Sequence, residues 1–468
     1  MDSGVVAMVS PGLVGNAVMA LIYGNLALAI IIPAVYVASP SLRRYIQALT
    51  AVAVLAFLLA AIATVYHVFA YGNLTMANNM IVHDKLSSVM LLGAALAAAL
   101  AYIQAYYKAE EWPTHPGYYG LLPLTFFGTF FLMGSLSPLL ILASWLVLSV
   151  ATYIIAGLPG DRDSVAAAVR YIYVGTLATL FIAVWIAAFY AGLRPPLALE
   201  ALAVVAIMAS IGFKLGAFPF HWWVPNVYGR ADGRAIAIVA GVAKLAFLGI
   251  LVRLVYTLSG GLTPFEADAL ALLIAASAVA TMTLGNVSAL NTGDLRAMLA
   301  YSSIAQTGYL LVGMVAVANL MSAGLNPTIA LAGIGLQAVA YAVAKAPLFS
   351  LAAETGGRVK GILRGDWVSA VSVAVLLASL LGIPPLVGFW GKLYMFLPAT
   401  SYSSILVLLA LVNSGVSSVY YIRFLRDALD EAGEPPRISE ESRYVLVLAA
   451  LITTVIGLAA PLIVNSFF

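Results

Sequence analysis

The chain has 468 residues, of which 63% are hydrophobic and 9% charged, with no cysteine, a net charge of +3 at pH 7 and a mean hydropathy of +1.04. That leaves too little polar surface for a water-soluble globule and points to an all-α polytopic membrane protein. The lack of cysteine excludes disulfides, thiolate metal sites and cysteine nucleophiles, and no basic run with interleaved aromatics points to nucleic acid.

A membrane-crossing helix needs roughly 20 apolar residues. In chain order, the apolar runs between charges, prolines and glycines predict fourteen spans: 13–36, 46–70, 86–106, 117–135, 137–157, 165–191, 198–223, 234–256, 264–285, 297–318, 326–353, 367–398, 403–426 and 443–466. The stretch Met1–Ser10 carries Asp2 but no Lys or Arg, so the basic region of a cleavable signal is missing and the first span is expected to be retained. The whole of 1–468 reads as one transmembrane domain. It comprises three N-terminal helices (1–116), two helical repeats (117–256 and 264–426) and a C-terminal helix (443–466).

Loop charges test that layout, because cytoplasmic connections carry the Lys and Arg excess. Fifteen of the 22 basic residues follow odd-numbered spans, among them Arg43, Arg44, Lys108, Arg423, Arg426 and Arg437. The other face has Lys85, Arg194 and Arg253. Both termini are therefore expected on the outer side of a cell membrane.

The remaining four are Lys214 in span seven, Lys244 in span eight, Lys345 in span eleven and Lys392 in span twelve. A lysine at a helix centre costs about 2.5–3.5 kcal/mol on insertion scales, so four of them call for a reason. Buried lysines exchange protons readily when a neighbouring charge moves, which suits a proton relay; the bland alternative is snorkelling to the headgroups, strongest for Lys345.

Two spans are expected to be broken. Span seven places Pro219 five residues after Lys214, and span twelve packs Gly382, Pro384, Pro385, Gly388 and Gly391 ahead of Lys392. Proline removes a backbone hydrogen bond and clashes with the preceding turn. A break inside the membrane is tolerated only beside protein or trapped water. The two interruptions lie five spans apart, an odd number that reverses topology, and so suggest two inverted five-helix repeats, spans 4–8 and 9–13.

Carboxylates are scarce within the spans. Glu200 and Glu354 fall at span ends and Asp84 and Asp294 just before spans, where interfacial or capping roles are expected. Protons would then need water and hydroxyls; Ser149, Thr152, Tyr153, Ser302, Ser303, Thr307 and Tyr309 are candidates, each also explicable as helix packing. His221 follows the Pro219 break and suits either a relay terminus or gate, or a capped helix end. His67 and His83 are isolated, so no metal site is expected. Trp222, Trp223 and Trp390 fit packing or the aromatic belt. No dinucleotide fingerprint, phosphate loop or nucleophile elbow occurs, so no cofactor is expected in this chain and any redox chemistry belongs to partners.

Three segments carry a family resemblance: FKLGAFPFHWWVPNVYGRADGRAIAIVAGVAKLAFLGILVRL (213–254), GNVSALNTGDLRAMLAYSSIAQTGYLLVG (285–313) and GIPPLVGFWGKL (382–393). They resemble the antiporter-like subunits of respiratory complex I and of Mrp-type cation/proton antiporters, and VPNVYGRAD and LAYSSIAQTGYLLVG look most like subunit N of complex I. The resemblance implies a mid-membrane proton path, with Lys214, Lys244 and Lys392 on the family's relay lysines and helices seven and twelve discontinuous. Lys345, in YAVAKAPLFSLAAE, looks more like the larger antiporter-like or Mrp subunits.

One departure stands out. Aligning Ser149 and Tyr153 with the end of the family's span-five pattern puts Leu146 where a glutamate partners the span-seven lysine. Another subunit or helix then supplies the charge, or the first half-channel is altered, or coupling is weak. The resemblance implies a proton-translocating subunit of a complex I-type oxidoreductase using NADH or a ferredoxin-like donor. Its partners would be other membrane and peripheral subunits, the lipid bilayer and a quinone bound elsewhere. The alternatives are a subunit of an Mrp-type antiporter or a membrane-bound hydrogenase, and a structural scaffold.

Overall fold

The computed structural model describes residues 11–106, 111–190, 206, 208–210, 212–260, 263–430 and 438–467. Glu200, Lys108, Arg194, Arg437, the first part of the seventh expected span and the first ten residues lie outside the described residues.

Long runs of Ala, Leu, Val and Ile, apolar on every face, give helices that satisfy their own backbone hydrogen bonds, as a bilayer demands. In chain order these are α1 (Pro11–Ala38), α2 (Ile46–Tyr71), α3 (Lys85–Ala105), α4 (His115–Gly134), α5 (Pro138–Gly157), α6 (Arg162–Tyr190), the short α7 (Trp223–Tyr228) and α8 (Gly233–Ser259). They continue with α9 (Pro264–Leu290), α10 (Leu295–Ser322), α11 (Thr328–Glu354), α12 (Trp367–Leu381), α13 (Val387–Ala399), α14 (Ser404–Ala428) and α15 (Glu440–Asn465). Among the described residues, eleven helices are long and apolar enough to cross a membrane, so the protein is an all-α polytopic membrane protein.

The helices divide into an inner and an outer set. The most apolar stretch of α8 is buried throughout, and those of α10 and α11 are 83% and 89% buried, whereas that of α1 is only 22% buried and lies on the outside of the bundle. Small residues let the inner helices approach closely. A Cβ on Gly308 of α10 would lie 2.6 Å from the backbone nitrogen of Met282 on α9, and one on Gly285 would lie 2.5 Å from that of Ala305. Both glycines are therefore required by the crossing of α9 and α10.

Asp84 and Asp294 cap helix N-termini, accepting from the amides of Ser87 and Ala297 at 2.7 and 3.0 Å. Glu354 closes the end of α11 and accepts from the amide of Ser439 at 3.2 Å. The spacing of apolar runs gave no hint of the hairpin between α2 and α3, in which Leu74–Met76 pairs antiparallel with Ile81–His83. Its turn runs through Ala77, Asn78 and Asn79, all at positive φ, a conformation Asn tolerates through local hydrogen bonding. Three-residue strands are too short for alternation to reveal.

The chain breaks near Pro219 and near Pro384. Helical backbone runs to Leu215, Gly216 takes φ +70°, and regular helix resumes at α7. Farther on, α12 stops at Gly382 with φ +94° and α13 begins at Val387. The Phe218–Pro219 and Pro384–Pro385 bonds are both cis.

Candidate functional site

All four lysines are buried, with 3, 5, 0 and 6% exposure for Lys214, Lys244, Lys345 and Lys392, and each amine makes its hydrogen bonds inside the protein. None snorkels. Lys214 donates to Ser149 Oγ and to the Tyr153 hydroxyl, both at 2.7 Å. Lys244 donates to the Ser303 carbonyl at 2.9 Å, and Lys345 to the Leu299 carbonyl at 2.8 Å and Ser302 Oγ at 2.5 Å. Lys392 donates to the Leu381 carbonyl at 2.8 Å and Ser414 Oγ at 2.7 Å.

Local backbone explains how these side chains arrive. Lys244 follows a π turn over Val239–Ala243, an extra residue that re-aims the helix face, and such turns cluster at functional sites. Lys392 stands on the first turns of α13 and folds back over the break, where a Cβ on Gly382 would meet its Cδ at 3.0 Å. The left-handed φ and this close approach together restrict position 382 to glycine. On α6, Gly175 leaves room for the Tyr153 hydroxyl, since a Cβ there would fall 1.5 Å from it.

Helix α10 joins the four. Ser303 and Leu299, one turn apart, hold Lys244 and Lys345. The neighbouring residues Gln306 and Thr307 reach the two breaks. Thr307 Oγ1 donates to the Leu215 carbonyl at 3.1 Å, beside Lys214. Gln306 Nε2 donates to the Leu380 carbonyl at 3.0 Å, beside the carbonyl that accepts from Lys392. Freed carbonyls inside a membrane must be satisfied, and α10 closes one in each break. Gln337 extends the line by donating to Gln306 Oε1 at 2.8 Å, and Ser302 shares a 2.7 Å hydrogen bond with the Tyr421 hydroxyl.

Span-five chemistry differs from the rest. Among the described residues no carboxylate hydrogen-bonds or ion-pairs with Lys214. Leu146 shares a face of α5 with Ser149 and Tyr153 and lines a cavity of about 350 Å³ between α5 and α6 that also meets Thr176 and Thr179. Leu146 is 42% exposed, so this face is open toward lipid or a neighbour. Lys214 Nζ is instead ringed by aromatics: 4.6 Å from the Phe247 and Tyr153 ring centres, 5.5 Å from Trp145 and 5.6 Å from Tyr171.

His221 is partly exposed beyond the Pro219 break, its ring 5.9 Å from that of Phe218, and no hydrogen bond joins it to Lys214 among the described residues. His67 sits apart against Tyr71. No group of three or more His, Asp or Glu side chains gathers among the described residues. Trp223 is buried with its Nε1 on the Phe213 carbonyl, Trp390 stacks on Tyr394, and Trp222 is exposed. Of the hydroxyl candidates, Thr152 bonds back to its own helix at Leu148, a packing role. Sequence reasoning passed over Gln306, Gln337, Ser414 and Tyr421. The two amides could have been found, since a glutamine inside an apolar span needs a partner.

Residues 135–417 match the family described as NADH:quinone oxidoreductase/Mrp antiporter, transmembrane. The subunit 2 of NAD(P)H-quinone oxidoreductase from Synechococcus sp. (strain WH7803) is 32% identical over 364 residues, covering 73% of this chain and 68% of that protein. The subunit 2 from Trichormus variabilis is 32% identical over 394 residues, covering 80% and 74%. In fold, the chain is similar to one in respiratory complex I from Thermus thermophilus (TM-score 0.77, 24% identity, 95% and 98% coverage). It is also similar to one in the Mrp complex from Dietzia sp. (TM-score 0.80, 19% identity, 97% and 96% coverage) and to one in an archaeal membrane-bound sulfane sulfur reductase (TM-score 0.84, 20% identity, 96% of each chain).

Proposed function

The chain belongs to the NADH:quinone oxidoreductase/Mrp antiporter transmembrane family, and from that premise we propose that it works as an antiporter-like subunit of a complex I-type NAD(P)H–quinone oxidoreductase. In this reading it moves protons along Lys214, Lys244, Lys345 and Lys392, while electrons pass through partner subunits and the quinone binds elsewhere in the complex. The observation that carries the relay is that one helix, α10, touches Lys244 and Lys345 directly and closes the break beside each of Lys214 and Lys392. A change of charge at one lysine is thereby felt through a contiguous polar path of backbone carbonyls, hydroxyls and amides.

The finer reading follows the sequence: fourteen spans, inverted repeats over 117–256 and 264–426, subunit N as the counterpart, both termini outward, His221 at an exit, and no redox group in this chain. Two breaks five spans apart, each served by α10, support the repeat. A second reading, a subunit of an Mrp-type antiporter or of another membrane complex, is favoured by Lys345 and by the fold likeness to the Mrp and sulfane sulfur reductase chains.

The test uses the purified complex in sealed vesicles, comparing wild type with Lys244→Ala and Lys392→Ala. Protons moved per electron are expected to fall in both variants while electron transfer persists in uncoupled vesicles. An unchanged ratio in both ends the relay reading.

A further inference from the structure

The geometry points to an aromatic cage, formed by Trp145, Tyr171 and Phe247 with the Tyr153 ring, that holds the protonated amine of Lys214 in place of the carboxylate this chain lacks at Leu146. The inference rests on the relay reading and names the residues that let its first half work.

Comparison among the four lysines singles out this one. Lys244, Lys345 and Lys392 each have a backbone carbonyl as acceptor and one ring within reach, at 4.9, 5.9 and 4.4 Å. Among the described residues Lys214 has no carbonyl acceptor, only two hydroxyls, and four rings within 5.6 Å. The face of an aromatic ring carries negative charge, attracts a cation within about 6 Å of its centre, and does so more strongly where water is excluded. Lys214 is 3% exposed, so its surroundings meet that condition.

The rings are also fixed. The Trp145 indole donates to Thr179 Oγ1 at 3.1 Å and meets Phe247 edge-on at 4.8 Å. Tyr171 is clamped between Tyr153, edge-on at 4.7 Å, and Trp223, stacked at 4.9 Å. Residues from α5, α6 and α8 thus converge on one amine. When Lys214 takes up a proton, the ammonium meets fixed ring faces, and when that proton leaves no unpaired carboxylate is left behind in the pocket.

The experiment replaces Phe247 with mono-, di- and trifluorophenylalanine in the intact complex, which drains charge from the ring face while keeping its shape. The same series at Phe126, buried and stacked on Phe57 and under no lysine amine among the described residues, is the control for fluorine alone. Protons moved per electron are expected to fall stepwise with fluorine number at position 247, toward the level of Lys214→Ala, and to stay constant at position 126. Full translocation with the trifluoro ring at 247, where Lys214→Ala does lower it, overturns the cage alone. No loss in Lys214→Ala overturns the parent reading for this half and the cage with it.

Discussion

Lys214 and Lys392 each stand beside a break in the helical backbone, yet their amines are held by different chemistry. At the second break, α12 ends in a left-handed glycine and its last carbonyl, on Leu381, is left for Lys392 and Ser414. At the first break, the Phe213 carbonyl is taken by the Trp223 indole and the Leu215 carbonyl by Thr307, so Lys214 turns away to α5 and its ring-lined pocket. A carbonyl dipole is a fixed acceptor, and each ring contributes on the order of 0.5–2 kcal/mol depending on desolvation. Lys392 thus has a backbone carbonyl beside its Ser414 and Tyr309 partners, whereas Lys214 rests on side chains among the described residues, which makes its pocket the easier of the two to alter by substitution.

The largest effect that separates the halves is expected from Gly175→Ala. The added methyl would fall 1.5 Å from the Tyr153 hydroxyl, which must leave Lys214. Overpacking of this kind costs roughly 1–3 kcal/mol, so a lower thermal midpoint is expected together with a loss of translocation as deep as that of Lys214→Ala. If the midpoint falls and translocation does not, Tyr153 is only a packing residue.

Leu146→Glu comes next, because it restores a carboxylate on the face of α5 that carries Ser149 and Tyr153. A charge here faces an open cavity rather than the sealed core, and its insertion cost of up to about 3 kcal/mol is reduced by a nearby cation. The expected outcome is a changed ratio of protons to electrons that disappears in the Leu146→Glu, Lys214→Ala double variant. A change that survives in the double variant means the two positions do not communicate.

Gly382→Ala probes the other half more gently. A left-handed alanine costs about 1–2 kcal/mol, and its Cβ would press on the Lys392 stem at 3.0 Å. Partial loss of translocation is expected, with little further loss when combined with Lys214→Ala, because both positions serve one relay through α10. Complete loss would place the Gly382 turn itself on the proton path.

The contrast between the halves was only partly legible in the chain. Lysines in apolar helices, and prolines beside them, announce themselves because each breaks a rule of the bilayer, so Lys214, Lys244, Lys345 and Lys392 and both breaks could be named from sequence. Leu146 could be named as well, through the motif around it. The role of α10 could not, since Gln306 and Thr307 reach opposite breaks through contacts 74 and 92 residues away in sequence. The rings around Lys214 were equally hidden: Trp145, Tyr171 and Phe247 come from three helices, and in a chain with 11% aromatic residues each reads as ordinary packing.

The smallest effect is expected outside both halves, at the hairpin, and serves to separate acid loss of the scaffold from titration of the relay. His83 is fully buried against Phe130, with Arg253 and Asp84 as the charged groups nearby, and burial followed by the Arg253 charge lowers its pKa from 6.5 to about 3. The fold thus favours the neutral ring over the mildly acidic range. As pH falls from 6.5 toward about 3, the unfolded chain binds a proton that the folded chain refuses, so the stability present above 6.5 is lost progressively through that window. Arg253 ties this hairpin to α8, donating to the Val82 carbonyl at 2.9 Å and Asp84 Oδ2 at 3.0 Å, so loosening it reaches the helix that carries Lys244. In His83→Leu the thermal midpoint of the complex should fall less between neutral and mildly acidic pH than in wild type, with proton translocation at neutral pH unchanged. An equal fall in both proteins would move the acid sensitivity away from the hairpin.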